Sequence, residues 1–288
     1  MANRPGATLP FTVFESPIHA TYAWESGPQA VLLVHGFPGT PAEMRRVGDI
    51  FAGAGWSGQS LLLPGFGADF PALAHKRHTD WHAAVDSALK TLQQRYHRVV
   101  IAGNSMGGAL ALRAAATHRV DGVVLFAPFW RVDSWLDRLY PVAERVLPRV
   151  RPFVGANFAD PRLRNELQHF LPDADLADPG VQRAVRRLEF PTRALGQVRR
   201  AGQIAYEVSE KVTAPVLIFQ GRGDVLVRPA ITRQLAGRLP NLAGYVEVDG
   251  EHDLVRGVAP GWPTVASLLH HFAVQIAAST RSLPSHPS

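Results

Sequence analysis

The sequence predicts an α/β protein with a mostly parallel central sheet that is flanked by helices. Three observations predict it. Short apolar runs alternate with segments of helical periodicity, the order of strand–helix–strand units with right-handed crossovers. Several of these runs are apolar at every position, as in strands that a parallel sheet buries on both faces. The alternation stops after Phe126 and resumes at Pro215, which predicts a helical insertion into one sheet.

The strands are predicted where a short apolar or alternating run ends at a glycine, a proline or a polar turn. Ala30–Val34 is apolar throughout, which is typical of the interior of a parallel sheet. Two alternating segments around Pro17 are expected to form an opening pair of strands. The full predicted set is Phe11–Ser16, Ala20–Glu25, Ala30–Val34, Ser57–Leu63, Arg98–Ala102, Val123–Phe126, Pro215–Gln220 and Gly244–Val248.

Helices are predicted between these strands from start and stop signals. Pro41 at the first position and Gly55 as the stop delimit a helix over Pro41–Ala54. Thr79 or Asp80 is the expected N-cap of the next helix, whose apolar positions share one face. Three later helices are predicted. The first runs from the glycine-rich segment after the strand Arg98–Ala102 to Ala116, the second lies near Arg228–Arg238, and the third covers Trp262–Ala278.

The break in the alternation predicts the domain organisation. Residues 1–128 and 211–278 should form an α/β core. Residues 129–210 carry many prolines and no convincing strand, so we expect a helical cap inserted after the strand that ends near Phe126. Residues 279–288 form a short polar tail with two prolines, for which we expect disorder.

The composition excludes several classes of function. The 288 residues are 46% hydrophobic and 19% charged, ordinary values for a globular protein with a sizeable core. The formal net charge is +6, but only three of the thirty basic residues are lysines, and no basic run interleaved with aromatics is present. This pattern disfavours nucleic acid as a partner.

Cysteine usage and hydropathy set expectations about the cellular setting. The chain has no cysteine, which excludes disulfides, a thiolate nucleophile and cysteine-ligated metals. No apolar stretch has the length of a signal peptide or of a membrane span. We therefore expect a soluble, cytoplasmic protein without stable membrane insertion. We also expect no metal and no organic cofactor.

A candidate nucleophile lies at a strand-to-helix turn. The segment Gly-Asn-Ser-Met-Gly at 103–107 matches the Gly-x-Ser-x-Gly pattern and lies between an apolar strand and a helical run. At such a strained turn, the side chains two residues before and after the serine must be absent. The turn exposes the hydroxyl and directs the helix N-terminus at any anion formed there. We predict Ser105 as the nucleophile.

An activated serine needs a general base, and the base needs an orienting carboxylate. His252 follows the last predicted strand and Asp224 follows the strand before it, so both should lie at the carboxyl edge of the sheet, where ligands bind in open α/β folds. We predict His252 as the base and favour Asp224 as the acid. The rival acids left open are Asp249, Glu251, Asp253 and Asp133.

The tetrahedral intermediate also needs hydrogen-bond donors for its oxyanion. One should be the backbone N–H of Met106, directly after the nucleophile, and the other should come from the loop after the first core strand. That loop reads His-Gly-Phe-Pro-Gly at 35–39. Pro38 has no N–H, so Phe37 is the predicted donor.

Taken together, these motifs resemble those of the α/β-hydrolases. They are His-Gly-Phe-Pro-Gly-Thr-Pro-Ala-Glu-Met-Arg at 35–45, the Ser105 elbow, Gly-x-Gly-Asp ending at 224 and Gly-x-His ending at 252. The chain is most similar to small bacterial carboxylesterases and monoacylglycerol lipases with a compact helical cap, over about Ala30–Pro128 and Pro215–Phe272. The resemblance implies an acyl-enzyme mechanism without cofactor. The chain departs from the family at Phe66, where Gly-His-Gly is frequent, and at Asn104, where histidine or leucine is commoner.

The expected function is hydrolysis of carboxylic esters with short or medium acyl chains, monoacylglycerols included. Acyl transfer and C–C bond hydrolysis through the same triad stay open, as does a non-catalytic relative that binds a ligand or partner. The oligomeric state is left open. Phe129 and Trp130, which follow a strand end beside the triad, are the predicted residues of an apolar acyl pocket, with core packing as the alternative.

Overall fold

The computed structural model describes residues 14, 16–131, 147–161, 163–164, 167, 174–255 and 259–279. Most of the predicted strand Phe11–Ser16, the rival acid Asp133 and the tail 280–288 lie outside these residues. Across the described residues, nine strands form two sheets. The strands are β1 (Tyr22–Trp24), β2 (Gln29–Val34), β3 (Ser57–Leu61), β4 (Arg98–Asn104), β5 (Gly122–Phe126), β6 (Arg149–Val150), β7 (Phe190–Pro191), β8 (Val216–Gly221) and β9 (Leu242–Val248).

The helices follow the strands in the alternation that the sequence predicts. They are α1 (Arg45–Gly53), α2 (His78–Arg95), α3 (Met106–Thr117), α4 (Pro179–Arg186), α5 (Thr192–Val208), α6 (Pro229–Ala236) and α7 (Trp262–Ala278). Four 3₁₀ segments occur in the described residues: Pro17–His19, Pro41–Met44, Gly67–His75 and Ser209–Lys211. The last three stand beside α1, α2 and α5.

The central sheet has seven strands in the order β1-β3-β2-β4-β5-β8-β9. Only β1 is antiparallel to its neighbour, β3, and the six other strands run parallel. The carboxyl ends of the parallel strands therefore meet at one edge. The register sets Gly103 at the end of β4 beside Val34 of β2, and Gly221 of β8 beside Val248 of β9.

The two faces of the sheet carry separate apolar clusters, as period-two alternation requires. Leu32 and Ile101 lie on the face that α2, α3, α5 and α6 cover. Leu33 and Val100 lie on the opposite face, against α1 and α7. These side chains are fully buried, so each layer of helices covers one face of the sheet with an apolar cluster of its own.

The predicted fold class is confirmed, with corrections in detail. The helix predicted over Pro41–Ala54 is a 3₁₀ turn followed by α1. Neither Thr79 nor Asp80 is the N-cap of α2, because the helix starts at His78; Asp80 instead accepts a hydrogen bond from the Arg77 N–H at 2.8 Å. β1 pairs with β3.

The expectation of no strand within 129–210 is wrong. β6 and β7 form a two-residue antiparallel pair that stands apart from the central sheet. Such short strands, one of which contains Pro191, give no period-two signal in the sequence. The cap prediction itself stays a prediction over the part of 129–210 that the structure describes.

Helix α5, which falls within the predicted cap, packs against α3 on one face of the central sheet. Ala194, Ala201 and Ala205 on α5 are buried in the same cluster as α3. Gly202 lies against the backbone of residues 129 and 130, since an added Cβ would come within 2.7 Å of the Trp130 Cα. The small side chains let α5 approach closely the segment that leaves β5.

Candidate active site

Ser105 lies between β4 and α3 with backbone angles φ +49° and ψ −113°. This left-handed conformation is costly for a residue with a side chain, and strain of this kind concentrates at functional sites. The neighbouring glycines make the turn possible. At Gly103, an added Cβ would lie 2.2 Å from the carbonyl oxygen of Gly107. At Gly107, an added Cβ would lie 2.1 Å from the carbonyl oxygen of Val34. The serine of the predicted elbow therefore has the strained geometry that the motif implies.

The structure brings the three predicted catalytic side chains together. The His252 Nε2 lies 2.9 Å from the Ser105 Oγ, and its Nδ1 lies 2.7 Å from the Asp224 Oδ2. Asp224 is 3% exposed and Ser105 is 7% exposed, whereas the histidine is half-buried. A histidine held between a hydroxyl and a buried carboxylate can take a proton from the hydroxyl while the carboxylate stabilises the imidazolium.

The carboxylate of Asp224 is held on both oxygens. Its Oδ1 accepts the backbone N–H groups of Leu226 at 2.9 Å and Val227 at 2.8 Å. Its Oδ2 accepts the Gln220 Nε2 at 3.0 Å as well as the histidine. Gln220 is itself fixed, because its Oε1 accepts the Thr232 hydroxyl and its Nε2 also donates to the Val227 carbonyl.

Among the rival acids, Asp249 is exposed and pairs with Arg222 at 2.5 Å. Glu251 is also exposed. His252 pairs with the carboxylate of Asp224, the acid that the sequence favours.

The two predicted oxyanion donors belong to the helix that starts after Ser105 and to the loop that follows β2. Met106 is the first residue of α3, so its backbone N–H is one of the unpaired donors at a helix N-terminus. Phe37 lies in the loop that follows β2. His35 fixes this loop through two hydrogen bonds. Its Nε2 accepts the Leu63 N–H at 3.1 Å, so the ring proton is on Nδ1. The Nδ1–H donates to the Gly36 carbonyl at 2.8 Å.

Glu43 joins the loop to the elbow. This side chain is 6% exposed, and its Oε1 accepts the Gly36 N–H at 2.5 Å and the Asn104 Nδ2 at 3.0 Å. The apolar periodicity of the sequence marked neither Glu43 nor Gln220 as part of the site. Each is a polar residue whose partner lies on a different segment of the chain.

Aromatic side chains surround the Phe37 loop. The Phe37 ring lies 5.9 Å from that of Phe66 and 6.1 Å from that of Phe190. Phe70 lies 5.6 Å from Phe190 in an edge-to-face arrangement. Phe37 and Phe70 are half-buried, so part of this aromatic surface stays open to solvent. β7, which carries Phe190, thus meets the predicted oxyanion loop.

The two predicted pocket residues have contacts with the core. The Trp130 indole stacks on the Tyr206 ring at 4.0 Å between centroids, and its Nε1 donates to the Ile231 carbonyl at 3.0 Å. Phe129 donates its backbone N–H to the Ser105 carbonyl at 3.0 Å, while its side chain belongs to the buried cluster under α3 and α5. These contacts favour packing for Trp130; the pocket role of both residues stays a prediction.

No helix in the described part of the chain is long and apolar enough to cross a membrane. Within the same residues, no group of three or more histidine, aspartate or glutamate side chains is arranged to hold a metal ion.

Comparison with known proteins gives a family and a set of relatives. Residues 26–254 match the family Hydrolase_4, described as serine aminopeptidase, S33. The chain is 29% identical over 206 residues to a thermostable monoacylglycerol lipase of Bacillus sp. (strain H-257), covering 71% of this chain and 74% of the relative.

Two solved structures share the fold at low sequence identity. One is a monoacylglycerol lipase of Paleococcus ferrophilus, with a TM-score of 0.67, 19% identity, and coverage of 89% of this chain and 98% of that one. The other is a soluble variant of monoglyceride lipase from Saccharomyces cerevisiae in complex with a substrate analogue, with a TM-score of 0.64, 16% identity and coverage of 97% and 99%.

Proposed function

The chain belongs to the Hydrolase_4 family and has the α/β-hydrolase fold, and from this premise we propose that it is a serine hydrolase that cleaves carboxylic esters through an acyl-enzyme. The observation that carries the proposal is the continuous hydrogen-bond chain from the Ser105 Oγ through His252 to Asp224. The relatives named as monoacylglycerol lipases support an ester as substrate.

In the acylation step, the Ser105 Oγ attacks the ester carbonyl carbon while its proton passes to the His252 Nε2. The C=O π bond breaks and its electron pair becomes an oxyanion. The N–H groups of Phe37 and Met106 are the proposed donors to that oxyanion. The tetrahedral intermediate collapses when the histidine returns the proton to the leaving alcohol, which leaves Ser105 acylated.

In the deacylation step, water takes the place of the alcohol. His252 removes a proton from the water, whose oxygen attacks the acyl carbon, and the same donors again receive the oxyanion. Collapse of this intermediate releases the carboxylic acid and returns the proton to the Ser105 Oγ. In both steps the Asp224 carboxylate accepts a hydrogen bond from the Nδ1–H and so holds the imidazole in the productive tautomer.

We propose that the acyl chain lies against the aromatic surface of Phe37, Phe70 and Phe190, which borders the oxyanion loop. We propose that this surface binds apolar acyl groups of short or medium length, including those of monoacylglycerols. We also propose a cap over 129–191 rather than 129–210, because α5 packs on α3 as a helix of the core.

Labelling with a fluorophosphonate probe and turnover of p-nitrophenyl esters of increasing chain length test the proposal. Wild type should be labelled once, and Ser105→Ala should lose both labelling and turnover. Ser209→Ala, at a buried serine that bonds the Tyr206 carbonyl, is the matched control and should keep both. An unlabelled wild type would favour a non-catalytic relative. Labelling with transfer of the acyl group to an added alcohol in preference to water would indicate an acyltransferase.

A further inference from the structure

A buried carboxylate contacts both segments that carry the proposed oxyanion donors. Glu43 belongs to the 3₁₀ turn Pro41–Met44 and is almost inaccessible to solvent. Burying a carboxylate is costly unless hydrogen bonds satisfy it. One oxygen, Oε1, accepts two N–H donors from different segments: the Gly36 backbone and the Asn104 side chain.

The two donors occupy informative positions. Gly36 directly precedes Phe37, which supplies one proposed oxyanion donor, and Asn104 directly precedes Ser105 in the elbow, which supplies the other through Met106. The segments also touch at this point. An added Cβ at Gly36 would come within 3.2 Å of the Asn104 carbonyl oxygen and 3.3 Å of the Ser105 Cβ. The spacing between loop and elbow is therefore set where Glu43 binds both.

We propose that Glu43 is a positioning residue that fixes the separation of the two oxyanion donors by bridging the loop after β2 to the nucleophile elbow. The proposal rests on the proposed function, since it concerns the same oxyanion. It does not make Glu43 a catalytic residue, because Glu43 would act through the two segments that carry the donors, which its Oε1 contacts.

The expected effect follows from the geometry that an oxyanion hole needs. Donors must lie about 2.7–3.1 Å from the oxyanion, and losing one donor typically costs about 100- to 1000-fold in kcat. Releasing the loop displaces the Phe37 N–H without removing it. We therefore expect a loss of about 10- to 100-fold, in kcat rather than in KM, because the contact strengthens only when the oxyanion forms.

Three variants separate reach from charge. Glu43→Gln keeps the length of the side chain and one acceptor oxygen but removes the charge. Glu43→Asp keeps the charge but is one methylene too short to contact both partners. Asp86→Asn is the control, because Asp86 is a partly buried acid that joins α2 to α3 through Arg113 and His118.

The probe is an alkyl trifluoromethyl ketone, with the matching methyl ketone as a ground-state control. Addition of the Ser105 Oγ to the activated carbonyl forms a hemiketal whose oxygen becomes the oxyanion, while the serine proton passes to His252. Affinity for this adduct reports on the donors in the folded enzyme. Melting temperatures of all variants report separately on stability.

We expect Glu43→Asp to bind the trifluoromethyl ketone about 10- to 100-fold more weakly, with an equal fall in kcat and unchanged affinity for the methyl ketone. Glu43→Gln should stay within about threefold of wild type, and Asp86→Asn should lose only stability. Wild-type affinity in Glu43→Asp, or a loss in Glu43→Gln as large as in Glu43→Asp, would overturn the bridging role alone. A wild type that neither forms the adduct nor turns over esters would overturn the proposed function and this inference with it.

Discussion

Replacing Asp224 by asparagine should impair the proposed enzyme through the tautomer of His252. The Oδ1 position receives two backbone N–H groups, from Leu226 and Val227, so an amide NH₂ group cannot occupy it without facing two donors. The NH₂ group must therefore take the Oδ2 position. There it donates to the His252 Nδ1, and the ring proton moves to Nε2.

A histidine protonated on Nε2 cannot accept the Ser105 proton, because that nitrogen has become a donor. In a serine protease the equivalent change lowers kcat about 10⁴-fold, so we expect a loss of that order, equivalent to about 5 kcal/mol of transition-state stabilisation. The Gln220 Nε2 also faces the Oδ2 position and is held there by the Val227 carbonyl. The two NH₂ groups oppose each other, so we expect a small loss of stability as well.

The assay is kcat for a short p-nitrophenyl ester, with Asp249→Asn and Asp253→Asn as controls near the histidine in sequence. Asp249 is exposed and pairs with Arg222, so its replacement should change kcat by less than about threefold. A nearly silent Asp224→Asn together with a crippling Asp253→Asn would show that the acid of the triad is misassigned. Fluorophosphonate labelling of Asp224→Asn should slow in parallel with kcat, because both reactions need the same proton transfer.

Two further predictions concern the pocket and the pH dependence of stability. Phe190→Ala should change the ratio of kcat/KM between short and medium esters by about 1–3 kcal/mol, whereas Trp130→Ala should lower stability without changing that ratio; the reverse pattern would restore Trp130 to the pocket. Burial, together with Arg113 and His78, lowers the pKa of His82 to about 4. Its stabilising contribution is therefore complete above the unfolded pKa of about 6.5 and is lost as the pH falls towards 4, by about 2 kcal/mol between pH 7 and 5. Urea denaturation should show this loss in wild type and not in His82→Phe.

The parts of the fold and site that the sequence predicts are those encoded locally. β2 and β5 are apolar at nearly every position, so burial on both faces of the sheet could be read from the residues alone. Ser105 is framed by glycines that the turn requires. Asp224 follows the buried strand β8, and His252 follows the edge strand β9. In a parallel sheet such positions share one edge. The order of the motifs along the chain was therefore enough to predict their meeting.

The parts that the sequence did not predict depend on contacts between distant segments. Glu43 and Asn104 are 61 residues apart, and nothing in the pattern around either residue indicates the other. Gln220 reads as one polar residue at the end of an apolar strand, yet it bonds the proposed triad acid and Thr232. The β6–β7 pair is too short for periodicity to detect.

The order of strands in the sheet explains why residue 221, at the end of β8, is a glycine. The loop that brings His252 to Ser105 passes over this position. β5 and β8 lie between β4 and β9, so the loop after β9 starts about 14 Å from the strand that carries Ser105, at about 4.8 Å per strand. The loop must therefore cross the end of β8. It does so directly over Gly221, where an added Cβ would lie 2.1 Å from the Glu251 carbonyl oxygen. A side chain at 221 would lift the loop away from the sheet and carry His252 with it. Gly221 thus helps to set the geometry of the proposed triad because it has no side chain.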